Sequence, residues 1–315
     1  MEKRKQVKIT VGIPVYNGEK FLFEKITSIL NQSFDDFELI ISDNGSTDST
    51  KEICKNFAMK DKRIRFFSHK NNQHTNWNYN FLLQEARGEY FIWTAVDDVL
   101  LPKFLEKNLE IMEKNKNTVC SISKIKLHGP MTEYMKSDNS NKSFLSRIYK
   151  NIYQKIGYMD TYPISGNYEN RIKEYLKNIR HNQVLYGLYR TEQIKKSFVK
   201  DSFIASDTAT TFNLLKYGEI HVIDEILMEV YDSGMSRSGM FETTNKMNHK
   251  NIGLIFPFFP FTQWCIKNLG LNFYFRNLSF FIKITCQGGV SLFIDILRHL
   301  GLSPEPKFLG IKRTY

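Results

Sequence analysis

A chain of 315 residues, 42% hydrophobic and 24% charged, is long and apolar enough for a sizeable core, which excludes a disordered or fibrous protein. Its net charge of +11 is unevenly placed: nine basic and two acidic residues lie between Lys246 and Tyr315, an excess of seven. The four cysteines lack metal-ligand or redox spacing and read as reduced thiols of a cytosolic protein, and no apolar signal segment follows Lys3, Arg4 and Lys5.

The first part of the chain alternates strand and helix. Lys8 to Val15 is β-rich, and Glu19 to Gln32 puts Leu22, Ile26, Ile29 and Leu30 on one helical face. Phe37 to Ser42 is a short apolar strand that turns at Asp43-Asn44-Gly45-Ser46. Ser49 and Glu52 have capping-box spacing before a helix carrying Ile53 and Phe57. Ile64 to Phe67 is a third strand, and Trp77 to Ala86 a helix ended by Gly88. Tyr90 to Ala95 is a fourth strand, with Asp97-Asp98 after it. Pro102 opens a helix with Leu105, Leu109 and Met112 inward. Such repeated β-α units predict a mostly parallel sheet with helices on both faces.

After Val119 to Ile125 the rhythm breaks. His128 to Ser143 reads as a loop, Tyr168 to Ile179 as a helix and Val184 to Tyr189 as a strand. Asp207 to Tyr217 is a helix stopped by Gly218, and Glu219 to Ile223 and Ile226 to Tyr231 are two strands. We divide the chain into 1–118, 119–245 and a basic, aromatic helical tail, 246–315. The tail's blocks, such as Phe256 to Phe261 and Phe273 to Phe275, are broken by Arg276 and Lys283, so no membrane span is expected. Basic amphipathic helices with aromatic faces suit the surface of an anionic bilayer, and they equally suit packing on the rest of the chain. Nucleic acid is not an expected partner, because the aromatics cluster in blocks.

Asp97-Asp98 stands out chemically. Adjacent carboxylates raise each other's pKa unless a cation neutralises them, and a hard divalent metal shared with phosphate oxygens would do so. A helix cap is the plainer alternative. Strand ends at Asn17 and Asp43 bring further polar groups to the edge where open α/β sheets bind ligands. The sequence has neither GxGxxG nor GxxxxGK[ST], which argues against a dinucleotide cofactor and excludes a P-loop.

Three blocks carry a resemblance: Val11 to Gly18, Ile40 to Thr50 and Ala86 to Asp98. In order and spacing they are similar to glycosyltransferase family two, whose GT-A-fold members transfer a sugar from a nucleotide donor with inversion. The resemblance spans residues 7 to about 112, with looser matches at Tyr186 to Arg190 and after Asp207. It implies a single mixed, mostly parallel sheet flanked by helices. It places Pro14, Tyr16 and Asn17 along the base and ribose, and Asp43 on the uracil imide. Asn80 and Asp97 would lie by the donor, and Asp98 would ligate Mn²⁺ or Mg²⁺. Asp207 matches the catalytic base, with a helix cap as its plainer role and Asp201 as the fallback base.

The implied function is an inverting, metal-dependent transferase using a UDP- or dTDP-sugar. The acceptor would be a saccharide, polyprenyl-linked by family habit, in cell-surface polysaccharide synthesis at the inner face of the membrane. The alternatives are a non-catalytic nucleotide- or glycan-binding module on the same fold, and a nucleotidyltransferase. Departures from the pattern include Tyr79 where an arginine is usual, His74 for a glycine and Val96 for a third acid. With Trp77-Asn78 they suggest a distinct branch. His69, His74 and His181 read as structural, and Arg190 and Arg237 as solvated or as phosphate clamps.

Overall fold

The computed structural model describes residues 7–137, 161–178, 183–231, 243 and 255–300. Its first half is the predicted alternation. The elements are β1 (Ile9–Val15), α1 (Glu19–Leu30), β2 (Phe37–Asp43), α2 (Thr50–Lys60), β3 (Ile64–Ser68), α3 (Thr75–Glu85) and β4 (Tyr90–Trp93). The short β5 (Val99–Leu100), α4 (Phe104–Lys114), β6 (Thr118–His128) and α5 (Pro130–Lys136) follow. The second half holds α6 (Tyr168–Asn178), a 3₁₀ turn (Gln183–Tyr186), β7 (Leu188–Arg190), α7 (Thr191–Ser197), α8 (Ser206–Leu214) and β8 (Glu219–Tyr231). Three helices end the described chain: α9 (Phe259–Leu269), α10 (Leu271–Arg276) and α11 (Leu278–His299).

One eight-stranded sheet runs β3-β2-β1-β4-β7-β6-β8-β5. The first four strands are parallel, β7 is antiparallel to both β4 and β6, and β6 and β8 run parallel. β2 is buried along its whole length, as a strand covered on both faces must be. The charge this buries at Glu38 is fully engaged. Thr10 Oγ1 and the Arg87 N–H donate to Oε1 at 2.7 and 2.9 Å, and Arg65 donates to Oε2 at 3.0 Å.

Several local expectations change. The two strands predicted around Asp224 are one, β8, because the chain passes that polar point with register shifts against β6 at Ser123–Ile125 instead of breaking. The strand expected from Val184 begins only at Leu188. Ahead of it the 3₁₀ turn brings Gly187 so close to β6 that a Cβ there would collide with Cys120 Sγ. The loop predicted after His128 contains α5, started by Pro130, and its remainder lies outside the described residues. Ser49 makes no side-chain cap. Its N–H instead donates to Glu19 Oε2 at 2.9 Å and the Thr50 N–H to Asp48 Oδ1 at 3.0 Å, so carboxylates do the capping work. The four cysteines are free thiols, as expected, with Cys286 exposed.

The tail also differs. α11 contains a continuous stretch, Leu278–Leu297, long and apolar enough by length and composition to cross a membrane. Reading block by block hid this, since Lys283 and Asp295 interrupt the sequence but not the helix. One face packs on the domain: Phe281 and Ile284 are buried, and Phe261 of α9 lies 6.0 Å from Phe212 of α8. The opposite face leaves Leu278, Ile282, Phe293 and Ile296 exposed.

Candidate active site

The carboxyl ends of β1, β2 and β4 meet in one place. Val15 pairs with Asp43 in register, and the Asn44 N–H donates to Val15 O at 2.9 Å. Asp43 is buried. Its Oδ1 accepts the Ser46 N–H at 2.9 Å, and its Oδ2 accepts Ser68 Oγ at 3.3 Å. A carboxylate has about four acceptor sites, so capacity remains for a donor N–H. Asn17 sits in the left-handed region at φ 51°, a conformation asparagine tolerates. Its Oδ1 accepts the Thr47 N–H at 2.9 Å and its own N–H donates to Ser46 Oγ at 2.8 Å, so it ties the β1 and β2 turns together. Pro14 and Tyr16 flank it, half-buried. His69 is structural, as predicted: its Nε2 is 2.9 Å from Ser42 Oγ, and burial lowers its pKa against the opposing pull of Asp43. Trp77 stacks on Phe81, with His69 edge-on at 4.8 Å.

The turn from Thr94 to Asp98 forms the second part of the site. Gly18 leaves room for it, since a Cβ there would press on Val96 and Val15. Asp97 is half-buried, while Asp98 is 3% exposed and its Oδ2 is buried without a hydrogen-bond partner. Burial pushes the Asp98 carboxyl up to about 7. Lys25 opposes that shift, Asp97 adds to it, and backbone hydrogen bonds from Tyr231 and Ala95 oppose it more weakly. Lys25 is the unexpected member. It lies on the inward face of α1 among Leu22, Ile26 and Ile29, fully enclosed. Its Nζ donates to Thr94 Oγ1 and, at 2.7 Å, to the main-chain oxygen of Asp98. Burial brings its pKa down to about 8 despite the nearby charges of Asp98 and Asp97.

Asp207 enters from the opposite half. Ala205, at φ 69°, turns the chain into α8, and Asp207 stands half-buried in its first turn. The link is the half-buried Tyr186, whose phenol is raised well above its ordinary pKa, chiefly by loss of solvent and also by the charges of Asp98, Asp97 and Asp207. Tyr79, on α3, feels the same Asp98 and Asp97 pair, and Tyr175 and Tyr189 feel Asp207. Asp97 and Asp98 thus lie near the half-buried Tyr79 and Tyr186, and Asp207 near Tyr186 and the buried Tyr175 and Tyr189. Asp201 is exposed.

On α3, Asn78 is the residue turned toward the strand ends. Its Nδ2 donates to Ser42 O at 3.0 Å and its Oδ1 is buried without a hydrogen-bond partner. Asn80 lies one position round the helix from Tyr79, half-buried, with Oδ1 3.5 Å from Gln84 Nε2. Arg190 is neither solvated nor a clamp: its guanidinium donates to Thr118 O, Met112 O and Asn115 O. Arg237 and His181 lie outside the described residues. Lys25, Asn78, Tyr79 and Tyr186 were missed as site residues. Asn78, Tyr79 and Tyr186 entered the sequence reading only through the family pattern, and Lys25 not at all, although a lysine three residues after Leu22 and four before Ile29 lies inside an apolar arc.

Among the described residues no group of three or more His, Cys, Asp or Glu gathers as a ready metal site. The Asp97-Asp98 pair still fits a hard cation. It offers carboxylate oxygens, one of them buried and unpaired, and a phosphate ligand could complete the shell.

These features define an α/β protein whose polar and carboxylate residues gather at the carboxyl ends of its parallel strands, with Asp43 and Asp98 buried there. Comparison with known proteins sharpens that class. The family described as Glycosyl transferase family 2 matches residues 10–198, and the chain belongs to it. A Haemophilus influenzae "Uncharacterized glycosyltransferase" is 41% identical over 107 residues, 34% of this chain and 43% of that protein. The Campylobacter jejuni "GalNAc(5)-diNAcBac-PP-undecaprenol beta-1,3-glucosyltransferase" is 30% identical over 182 residues, 57% of this chain and 56% of the relative. Across such curated relatives the chain spans from 21% to 56% of their length. Among solved structures, S. aureus TarS 1-349 in complex with UDP-GlcNAc aligns at TM-score 0.56 and 17% identity, covering 96% of this chain and 82% of that one. The fold is the GT-A type expected from the sequence.

Proposed function

We propose that this chain is an inverting, metal-dependent glycosyltransferase. It would move a sugar from a UDP- or dTDP-sugar to a hydroxyl of a saccharide carried on a lipid diphosphate, in cell-surface polysaccharide synthesis. The observation that carries this reading is the buried, unpaired Asp98 Oδ2 beside Asp97 just past the carboxyl end of β4, in a chain of this family. The nucleotide would lie along β1 and β2, with Pro14, Tyr16 and Asn17 beside base and ribose and Asp43 accepting the uracil imide N–H. Asp97 would face the donor sugar, and Asn80 would approach the donor from α3 next to Tyr79. Asp98, with Asp97, would hold Mn²⁺ or Mg²⁺. When bound, that cation would neutralise charge gathering on the leaving diphosphate.

Asp207 acts as general base. The acceptor O–H bond breaks as its oxygen forms a bond to the anomeric carbon. The proton passes to the Asp207 carboxylate, and the anomeric C–O bond breaks with its electron pair leaving on the nucleoside diphosphate. The Campylobacter relative's name includes PP-undecaprenol, which supports a lipid-linked acceptor. A UDP-GlcNAc complex on the same fold supports the donor class. The open face of α11, with Leu278, Ile282, Phe293 and Ile296 outward and Lys283 beside it, supports work at an anionic membrane surface, which we place on the cytoplasmic side.

The test is metal-dependent release of UDP from a UDP-sugar, with UDP binding measured alongside. Asp207→Asn is expected to bind UDP normally and to lose about 10²- to 10⁴-fold in turnover. Unchanged turnover would remove Asp207 from the role.

A further inference from the structure

A lysine inside the apolar face of a helix needs a reason. Moving an ammonium out of water costs several kcal/mol even after relaxation, and it persists only where its protons and charge are met. Lys25 is 1% exposed. Neither of its two bonds reaches a carboxylate. One goes to Thr94 Oγ1, where β4 ends, and the other to the main-chain oxygen of Asp98, just before β5 begins. The same ammonium thus grips both ends of the turn that carries Asp97-Asp98. The backbone supports the grip more loosely: the Thr94 N–H donates to Gly12 O at 3.0 Å and the Asp98 N–H to Ala95 O at 3.3 Å. By binding the peptide oxygen of Asp98, Lys25 leaves the carboxylate Oδ2 unpaired while supplying nearby positive charge that lets it be buried.

We propose that Lys25 is a positioning residue that pins the Asp97-Asp98 turn from beneath, holding the open Asp98 oxygen where the donor diphosphate and its cation meet the protein. This rests on the donor site proposed above. Lys25 touches neither donor nor acceptor. It acts through the geometry of Thr94 and Asp98, as groups that orient metal-binding side chains do, and their loss typically costs about 10- to 100-fold in metal affinity.

The experiment measures UDP binding to the full chain by calorimetry, with Mn²⁺ and with EDTA. The ratio of the two affinities is the readout, and melting curves check folding. Lys25→Met is expected to lower the ratio by about tenfold or more, with UDP binding in EDTA unchanged within about twofold because it depends on the Asp43 end. Lys25→Gln keeps a two-proton donor on a chain one atom shorter and is expected to retain more of the ratio than Lys25→Met. Thr94→Val removes one of the two grips and is expected to fall between them. It decides the matter if Lys25→Met does not fold. A folded Lys25→Met or a Thr94→Val with the wild-type ratio overturns the proposal, as does Lys25→Gln behaving like Lys25→Met, since charge alone would then matter. Asp98→Ala separates the two ideas. If it keeps the Mn²⁺ enhancement, the donor-site reading fails, and the pin fails with it. If it abolishes the enhancement while the Lys25 variants do not, only the pin fails.

Discussion

Two buried carboxylates sit at opposite ends of this sheet and are treated very differently. Glu38, at the amino end of β2, is 5% exposed, and both its oxygens are met, by Thr10, the Arg87 N–H and Arg65. Asp98, beyond the carboxyl end of β4, is 3% exposed with one oxygen left open, and its nearby cation is bonded to the backbone instead. Glu38 is committed to the fold. Asp98 holds bonding capacity in reserve, at a cost in stability that only a ligand would repay. The same contrast recurs on α11, where Phe281 is packed into the core and Phe293 faces outward.

Three measurements bear on that contrast. The largest effect concerns Glu38. Glu38→Ala leaves Thr10 Oγ1 and the Arg87 N–H without their acceptor and Arg65 with Glu85 alone, and each buried donor left unsatisfied costs about 1–3 kcal/mol. Chemical denaturation should show this loss while the Mn²⁺ enhancement of UDP binding stays at its wild-type value. A loss of that enhancement would mean that the two ends of the sheet are not independent.

The second concerns pH. The folded pKa of Asp98 is raised to about 7 from 3.8, so the folded state binds this proton more tightly than the unfolded state. Its contribution to stability is therefore present at low pH and is lost as pH rises from about 4 through 7. Lys25 is lowered to about 8 from 10.5, so it contributes a penalty below about 8 that fades as pH rises toward 10.5. Metal-free protein should show a shallow minimum in this contribution in the neutral to mildly alkaline range, after the Asp98 share is lost and before the Lys25 penalty fades. Asp98→Asn should flatten the acid side, and Mn²⁺ with UDP should fill the minimum. Thermal melts in EDTA across this range would contradict the account if wild type and Asp98→Asn had the same slope.

The smallest effect lies on the tail. Each outward apolar side chain can contribute roughly 1.5–3 kcal/mol when buried. Ile282→Glu and Phe293→Glu should weaken flotation with anionic vesicles without altering UDP binding. Flotation equal to wild type would leave the outward face of α11 without a membrane role.

The parallel half was legible because its signals are local. Apolar runs such as Ile9–Val15 and Phe37–Asp43 are wholly or nearly enclosed, and the turns after them carry the polar residues gathered at the strand ends. Asp43, Asp97 and Asp98 could therefore be placed at strand ends from the sequence. The second half was less legible because tertiary contacts shape its elements. β8 crosses Asp224 on the strength of its pairing with β6, and Gly187 is dictated by the approach of Cys120. Ser49 illustrates the same limit, since Glu19, thirty residues away, supplies the contact that the local pattern assigned to a capping box. Lys25 was hidden because charge patterning places a lysine outside, and only the fold shows what it grips. The unity of α11 was hidden by two charges that a helix carries without breaking.

If Asp98 keeps an open oxygen for a cation shared with the donor diphosphate, that cation should be seen on it. Crystals grown with UDP and Mn²⁺, with data collected at the manganese edge, test it most directly. An anomalous peak is expected on the Asp98 carboxylate and phosphate oxygens, with the uracil against Asp43. A bound UDP whose manganese lies away from Asp98, or is absent at saturating Mn²⁺, would contradict it.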